Sequence, residues 1–150
     1  RDWSSDVCSS DLNDSIELAL EVGADGVHVG AEDGAPADVR AALGSGRLLG
    51  VSCYADLSQA KAARQAGADY VAFGALFASP TKPAADHAPL VLLGQAKVEL
   101  NCPVAGIGGI TLDNAATAVA AGADLLAVIS DVFTAPDPAA RCAAYRPLFH

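Results

Sequence analysis

One phrase occurs three times in this chain of 150 residues. Residues 21–30 read EVGADGVHVG, residues 65–74 read QAGADYVAFG and residues 120–129 read AAGADLLAVI. Each sets Gly-Ala-Asp between an Ala-rich stretch with helical spacing and an apolar run. Gly23, Gly67 and Gly122 suit the left-handed residue that ends a helix, where any Cβ would clash. Asp25, Asp69 and Asp124 suit the turn that follows. The runs Val27 to Val29, Tyr70 to Phe73 and Leu125 to Ile129 are continuous rather than alternating, which predicts parallel strands buried on both faces.

Leu48 to Val51 and Pro103 to Ile107 add two strands, for five in all. Helices are predicted at Ser15 to Val22, Pro36 to Leu43, Leu57 to Ala66, Pro89 to Leu100, Leu112 to Ala121 and Pro138 to Phe149. Strict alternation of strand and helix forces parallel pairing through right-handed crossovers, so the fold class is α/β, as a doubly wound sheet or a (β/α)8 TIM barrel. A full barrel has eight strands and typically about 250 residues, so on the barrel reading this one is incomplete, with about five of eight βα units.

The first twelve residues break the pattern. Residues 1–12 read RDWSSDVCSSDL and hold the only Trp, whereas the sequence from Asn13 onward is rich in Ala, Gly, Val and Leu. Residues 6–12 also match the translation of a common sequencing adapter, so residues 1–12 are expected to be a non-native scar and residues 13–150 the C-terminal part of the domain.

Charge narrows the choice of partner. Nine Lys and Arg against eighteen Asp and Glu give a net charge of -9, and no basic stripe is present, which argues against nucleic acid. No apolar run approaches the roughly 20 residues needed to span a bilayer, so no membrane association is expected and a cytoplasmic location is the default. The four cysteines lie far apart without metal-ligand spacing and are expected to be small, mostly buried apolar residues.

In a barrel the site forms after the strands' C-terminal ends. Asp14 directly follows Asn13, and Asp33 lies three residues beyond Gly30. By spacing alone Asp14 fits a helix N-terminal charge and Asp33 a loop residue, although two carboxylates on neighbouring strand ends also suit Mg2+. His28, inside an apolar strand, reads as a satisfied core residue rather than a base. The loop after the second phrase carries Ser79, Thr81 and Lys82, a candidate anion clamp or simply a solvated loop. Gly108-Gly109 before Thr111, and Ser130-Asp131 as a possible N-cap opening a short helix, fit either phosphate-binding turns or ordinary βα turns.

Taken in order, Asn13-Asp14, residues 26–33 (GVHVGAED), Gly50-Val51-Ser52, residues 74–82 (GALFASPTK), residues 106–111 (GIGGIT) and residues 127–130 (AVIS) resemble the thiamine-phosphate synthase family. That resemblance implies a Mg2+-dependent transferase of (β/α)8 fold that joins hydroxymethylpyrimidine diphosphate to thiazole phosphate, releasing pyrophosphate in thiamine biosynthesis. It further implies that Asp14 and Asp33 ligate Mg2+, that Asn13 and Ser52 contact the diphosphate, and that Lys82, with Ser52, serves the departing group. Ser79 and Thr81 would line the thiazole-phosphate side, and Gly109, Ile129 and Ser130 would hold its phosphate. The sequence departs from the family in having Ala31 where Gln is common and Ser79 where Thr is common. The family's first three strands, with the diphosphate-binding basic and amide residues after the second, are expected to be absent, so the fragment alone is expected to be inactive. A thiazole tautomerase-like barrel and a non-catalytic phosphate-binding fragment are the alternatives. The oligomeric state is left open.

Overall fold

The computed structural model describes residues 11–78 and 87–149. Six strands form one wholly parallel sheet in sequential order: β1 (Asp11–Asn13), β2 (Gly26–Val29), β3 (Leu48–Ser52), β4 (Tyr70–Phe73), β5 (Val104–Ile107) and β6 (Leu125–Ala127). Helices α1 (Ile16–Glu21), α2 (Pro36–Leu43), α3 (Leu57–Gln65), α4 (Val91–Leu100) and α5 (Leu112–Ala120) connect them. After β6 come the short α6 (Ser130–Phe133), α7 (Pro138–Tyr145) and a 3-10 turn, Arg146–Phe149. The sheet curls as part of a barrel, in line with the expected α/β class. Among the described residues, no helix is long and apolar enough to cross a membrane.

The count of five strands needs correction to six. The added strand is β1, which pairs Asp11 with Gly26, Leu12 with Val27 and Asn13 with His28. Its sequence, Asp-Leu-Asn, offers one apolar side chain and so gives no hydrophobic run to read; only pairing with β2 makes it a strand. Two of its residues lie within the segment set aside as foreign.

Strand burial also differs from the expectation of two equally buried faces. Val27, Val29, Leu49, Val51, Val71, Phe73 and Val104 lie on one face, under the helices, and are at most 2% exposed. The opposite face carries His28, Gly50, Ser52, Tyr70, Ala72 and Ala105, small or polar residues of which His28, Ser52 and Tyr70 are half-buried. Both faces lack a strongly hydrophilic alternation because Gly and Ala fill the second one, which is why the runs looked continuous.

The repeated phrase works as expected at its helix ends. Gly23, Gly67 and Gly122 follow the C-caps Val22, Ala66 and Ala121 with φ of 67°, 98° and 119°. The aspartates do more than turn the chain. Asp69 Oδ2 accepts from Leu49 N at 2.8 Å, and Asp124 Oδ2 accepts from Val104 N at 3.0 Å, so each ties its own strand to the start of the preceding one. Arg40 pairs with Asp69 at 2.5 Å and Lys97 with Asp124 at 2.6 Å, which balances charge at the sheet end remote from the site.

One helix and one strand end earlier than expected. Pro147 has no N–H to continue the ladder, so the last predicted helix divides into α7 and the 3-10 turn. β6 stops at Ala127, which leaves Ile129 outside the strand as the cap residue of α6. Of the three cysteines among the described residues only Cys53 is buried, Cys102 being half-buried and Cys142 exposed, so the expectation of mostly buried cysteines does not hold for them; Cys8 lies outside the described residues. Burial pushes the Cys53 thiol up to about 12, the behaviour of an inert core residue.

Candidate active site

Parallel order and register carry the candidate residues to one end of the sheet. Asn13 pairs with His28, His28 with Gly50, and Ser52 with Ala72, so Asp14, Gly30 and Ser52 leave neighbouring strands at the same edge. The loop from Gly30 then returns Asp33, whose Oδ2 accepts from Gly30 N at 2.6 Å.

This brings the two carboxylates together. Asp14 takes a positive φ of 70°, and the helix that follows is capped by Ser15, which accepts from Leu18 N at 3.2 Å. Asp14 is therefore not the N-cap, and its side chain lies against Asp33. Desolvation first, then the charge of Asp33 and a hydrogen bond with it, push the Asp14 carboxyl above its ordinary range, while His28 and the Asn13 side chain act in the opposite sense. Two facing carboxylates, one of which raises the proton affinity of Asp14, are a fitting pair for a hard cation. Among the described residues no group of three or more His, Cys, Asp or Glu side chains is arranged for a metal. The donor set thus fits Mg2+, which uses one or two carboxylates and completes its shell with water and substrate oxygen, better than a closed transition-metal site.

His28 is satisfied at both ring nitrogens, as its place in an apolar strand predicted. Nδ1 lies 2.9 Å from the Tyr70 hydroxyl and Nε2 lies 2.8 Å from Ser52 Oγ. Burial lowers its proton affinity, against the opposing pull of Asp11, Asp14 and Asp33. The Tyr70 hydroxyl in turn donates to Asp11 Oδ2. Gly50, between His28 and Tyr70 in the sheet, makes this contact possible: a Cβ there would meet the Tyr70 hydroxyl at 2.3 Å and His28 Nδ1 at 2.5 Å. Tyr70 was not singled out from sequence. The available signal was its position in the phrase, where the other two copies have Gly26 and Leu125.

The residues expected on the phosphate side stand at the ends of β5 and β6. Ile107 pairs with Ala127, so Gly109 and Ile129 stand two residues beyond paired positions on adjacent strands. Gly109, with φ of 64°, has no space for a side chain because a Cβ would lie 2.4 Å from the Phe77 carbonyl oxygen. Its glycine character is explained by the β4 loop rather than by ligand approach alone. Leu76 N donates to Ile107 O and Phe77 N to Gly108 O, both at 3.0 Å, which seats that loop on the β5 turn. Asn114, also missed from sequence, holds the turn from the other side, accepting from Thr111 N and donating to Gly109 O, each at 2.9 Å. Ser130 does not serve as a cap: Ile129 occupies that position, is 67% exposed, and α6 has no side-chain cap. Ser79, Thr81 and Lys82 lie outside the described residues; the other two lysines, Lys61 and Lys97, are engaged in ion pairs with Glu99 and Asp124.

A family model described as thiamine monophosphate synthase matches residues 11–132. Thiamine-phosphate synthase from Aromatoleum aromaticum is 64% identical over 138 residues, covering 92% of this chain and 66% of that protein. The thiamine-phosphate synthase from Azoarcus sp. strain BH72 is 61% identical, covering 92% and 67%. Thiamine phosphate pyrophosphorylase from Pyrococcus furiosus superposes with a TM-score of 0.82 at 34% identity, over 93% of this chain and 66% of that one. A 3-hexulose-6-phosphate synthase, at 21% identity and a TM-score of 0.66, shares the fold. The chain spans about two thirds of the length of the curated relatives it matches.

Proposed function

Because the chain belongs to the thiamine monophosphate synthase family, we propose that it forms the greater part of a transferase that joins hydroxymethylpyrimidine diphosphate to thiazole phosphate, giving thiamine phosphate and pyrophosphate. The observation that carries this reading is the convergence of Asp14 and Asp33 at one end of the sheet. Such chemistry requires a departing diphosphate to be neutralised and two fragments to be held in line, and it needs no strong general base. The engaged ring of His28 agrees with that.

Asp14 and Asp33 would hold Mg2+, which when bound offsets the charge of the diphosphate. Asn13, at the end of β1, would bind the diphosphate beside it, with Lys82 as the cationic side chain, and Ser52, at the end of β3, would join them when its hydroxyl proton faces the ligand. Gly109, Ile129 and Ser130 would hold the thiazole phosphate through backbone N–H groups and a hydroxyl, with Ser79 and Thr81 on the same side. A thiazole tautomerase-like role or plain phosphate binding is the alternative, and the acidic pair favours the transferase.

The six strands would supply six of eight barrel units, and residues 13–150 would be the native run. Its 138 residues equal the aligned length of the relative from Aromatoleum aromaticum. The test is formation of thiamine phosphate from the two precursors by the intact enzyme. Turnover is expected only with Mg2+ and should drop at least about 100-fold in Asp33→Ala. Unchanged turnover in that variant, or after metal removal, would exclude the metal assignment. The 150-residue chain alone is expected to give none, because among the described residues β1 and β6 each have one parallel edge without a partner strand.

A further inference from the structure

The chain Ser52, His28, Tyr70, Asp11 has a direction. A Tyr hydroxyl carries one proton, and an ionised Asp11 carboxylate can only accept, so the proton of Tyr70 goes to Asp11. The Tyr70 oxygen then meets His28 Nδ1, at 2.9 Å, as an acceptor, which puts the imidazole proton on Nδ1. Nε2 is left as an acceptor, and the only proton available at its 2.8 Å contact belongs to the Ser52 hydroxyl. Ser52 thus spends its proton inward and turns lone pairs toward the strand ends. A hydroxyl in that state repels a phosphate oxygen and suits a donor such as water or an ammonium group.

We propose that Asp11 sets the polarity of this relay, and that without an acceptor at position 11 the relay reverses and Ser52 becomes a donor to a diphosphate. Tyr70 would then donate to His28 Nδ1, His28 would donate from Nε2 to Ser52, and the Ser52 proton would face outward. His28 and Tyr70 are positioning residues in this scheme; neither need touch the substrate. Asp11 is the last acidic residue of the adapter-like segment and lies on the edge strand β1, whereas the contacts of His28 with Tyr70 and Ser52 are made between β2, β3 and β4. Gly50 is the fixed element, since no other residue leaves space for Tyr70 to reach His28. The inference rests on the reading that the end of β3 faces a diphosphate.

Two measurements on the chain separate the possibilities. Ring 15N shifts of His28, assigned through their loss in His28→Asn, report which nitrogen carries the proton. Calorimetric titration with inorganic pyrophosphate in Mg2+ buffer reports the anion site. The expected result is an Nδ1–H ring in the unaltered chain and in Asp11→Asn, whose amide oxygen still accepts from Tyr70, and an Nε2–H ring in Asp11→Ala. Pyrophosphate should bind about tenfold more tightly to Asp11→Ala than to Asp11→Asn, which has lost the same charge, and Ser52→Ala should cancel that gain. Tyr70→Phe should leave a mixture of tautomers whether or not Asp11 is present. The same tautomer in Asp11→Asn and Asp11→Ala, or a doubly protonated ring in the unaltered chain, would overturn the relay. Tautomers that switch while no variant binds pyrophosphate would leave the relay standing and remove the diphosphate reading instead.

Discussion

The two halves of the site are made in different ways. At the ends of β1, β2 and β3 the chemistry resides in side chains: Asp14 against Asp33, and His28 between Ser52 and Tyr70. At the ends of β5 and β6 the proposed contacts are mostly main-chain ones, with Gly109 pressed under the Phe77 carbonyl and Ile129 and Ser130 at the start of a four-residue helix. Side chains can be exchanged with little disturbance to the fold, whereas a backbone site is inseparable from packing. The first half should therefore lose function before stability, and the second should lose both together.

The largest expected effect follows from that contrast. Gly109→Ala places a methyl group 2.4 Å from a carbonyl oxygen at φ of 64°, with no flexible side chain to yield. A loss of about 3 kcal/mol is expected in urea unfolding, from the clash and the left-handed strain together. A variant as stable as the parent would show that the β4 loop is not seated on this turn, and the distinction between the halves would fail.

Asp33→Asn tests the other half. The amide oxygen can still accept from Gly30 N, so stability should change by less than about 1 kcal/mol, while Mn2+ affinity, read by electron paramagnetic resonance, should drop about tenfold or more. The variant also has a pH signature in metal-free buffer. The folded chain holds the Asp14 proton more tightly than the unfolded chain, so ionising Asp14 opposes folding. Stability should fall as pH rises from the ordinary carboxylate range through the raised value of Asp14, and Asp33→Asn should reduce that slope, leaving the part due to desolvation. An unchanged slope, or an Asp14 carboxyl 13C titration that does not move to lower pH, would mean that Asp33 is not its neighbour.

The same division decides what could be read from sequence. The phrase glycines and apolar runs gave the α/β order because both are local signals, whereas spacing alone left Asp14 a helix-end charge and Asp33 a loop residue, and Ser52 was singled out only through the family resemblance, because what draws side chains on separate strands together is the register of the sheet. β1 was missed because Asp-Leu-Asn has no periodicity of its own and is a strand only through β2. Tyr70 was missed because its hydroxyl acts across Gly50 on a residue 42 positions away. The reason for Gly109 was only half legible: two adjacent glycines announce a close approach, but not that Phe77 makes it. Asn114 looked like an ordinary helix residue, since its bond to Gly109 O depends on the turn it stabilises.

The smallest effect sharpens the backbone half. Ser130 opens α6 without capping it and is exposed, so Ser130→Ala should shift the unfolding free energy by less than about 0.5 kcal/mol. If main-chain N–H groups supply most of the phosphate contact, inorganic phosphate affinity, measured by calorimetry, should weaken only about threefold to fivefold, the worth of one neutral donor. Complete loss of binding would place this end beside the first, as a side-chain site whose specificity depends on one hydroxyl. No change at all would assign the contact to backbone alone, and would explain why the turn tolerates an exposed Ile129 at its cap: the residue type there matters less than the direction of its N–H.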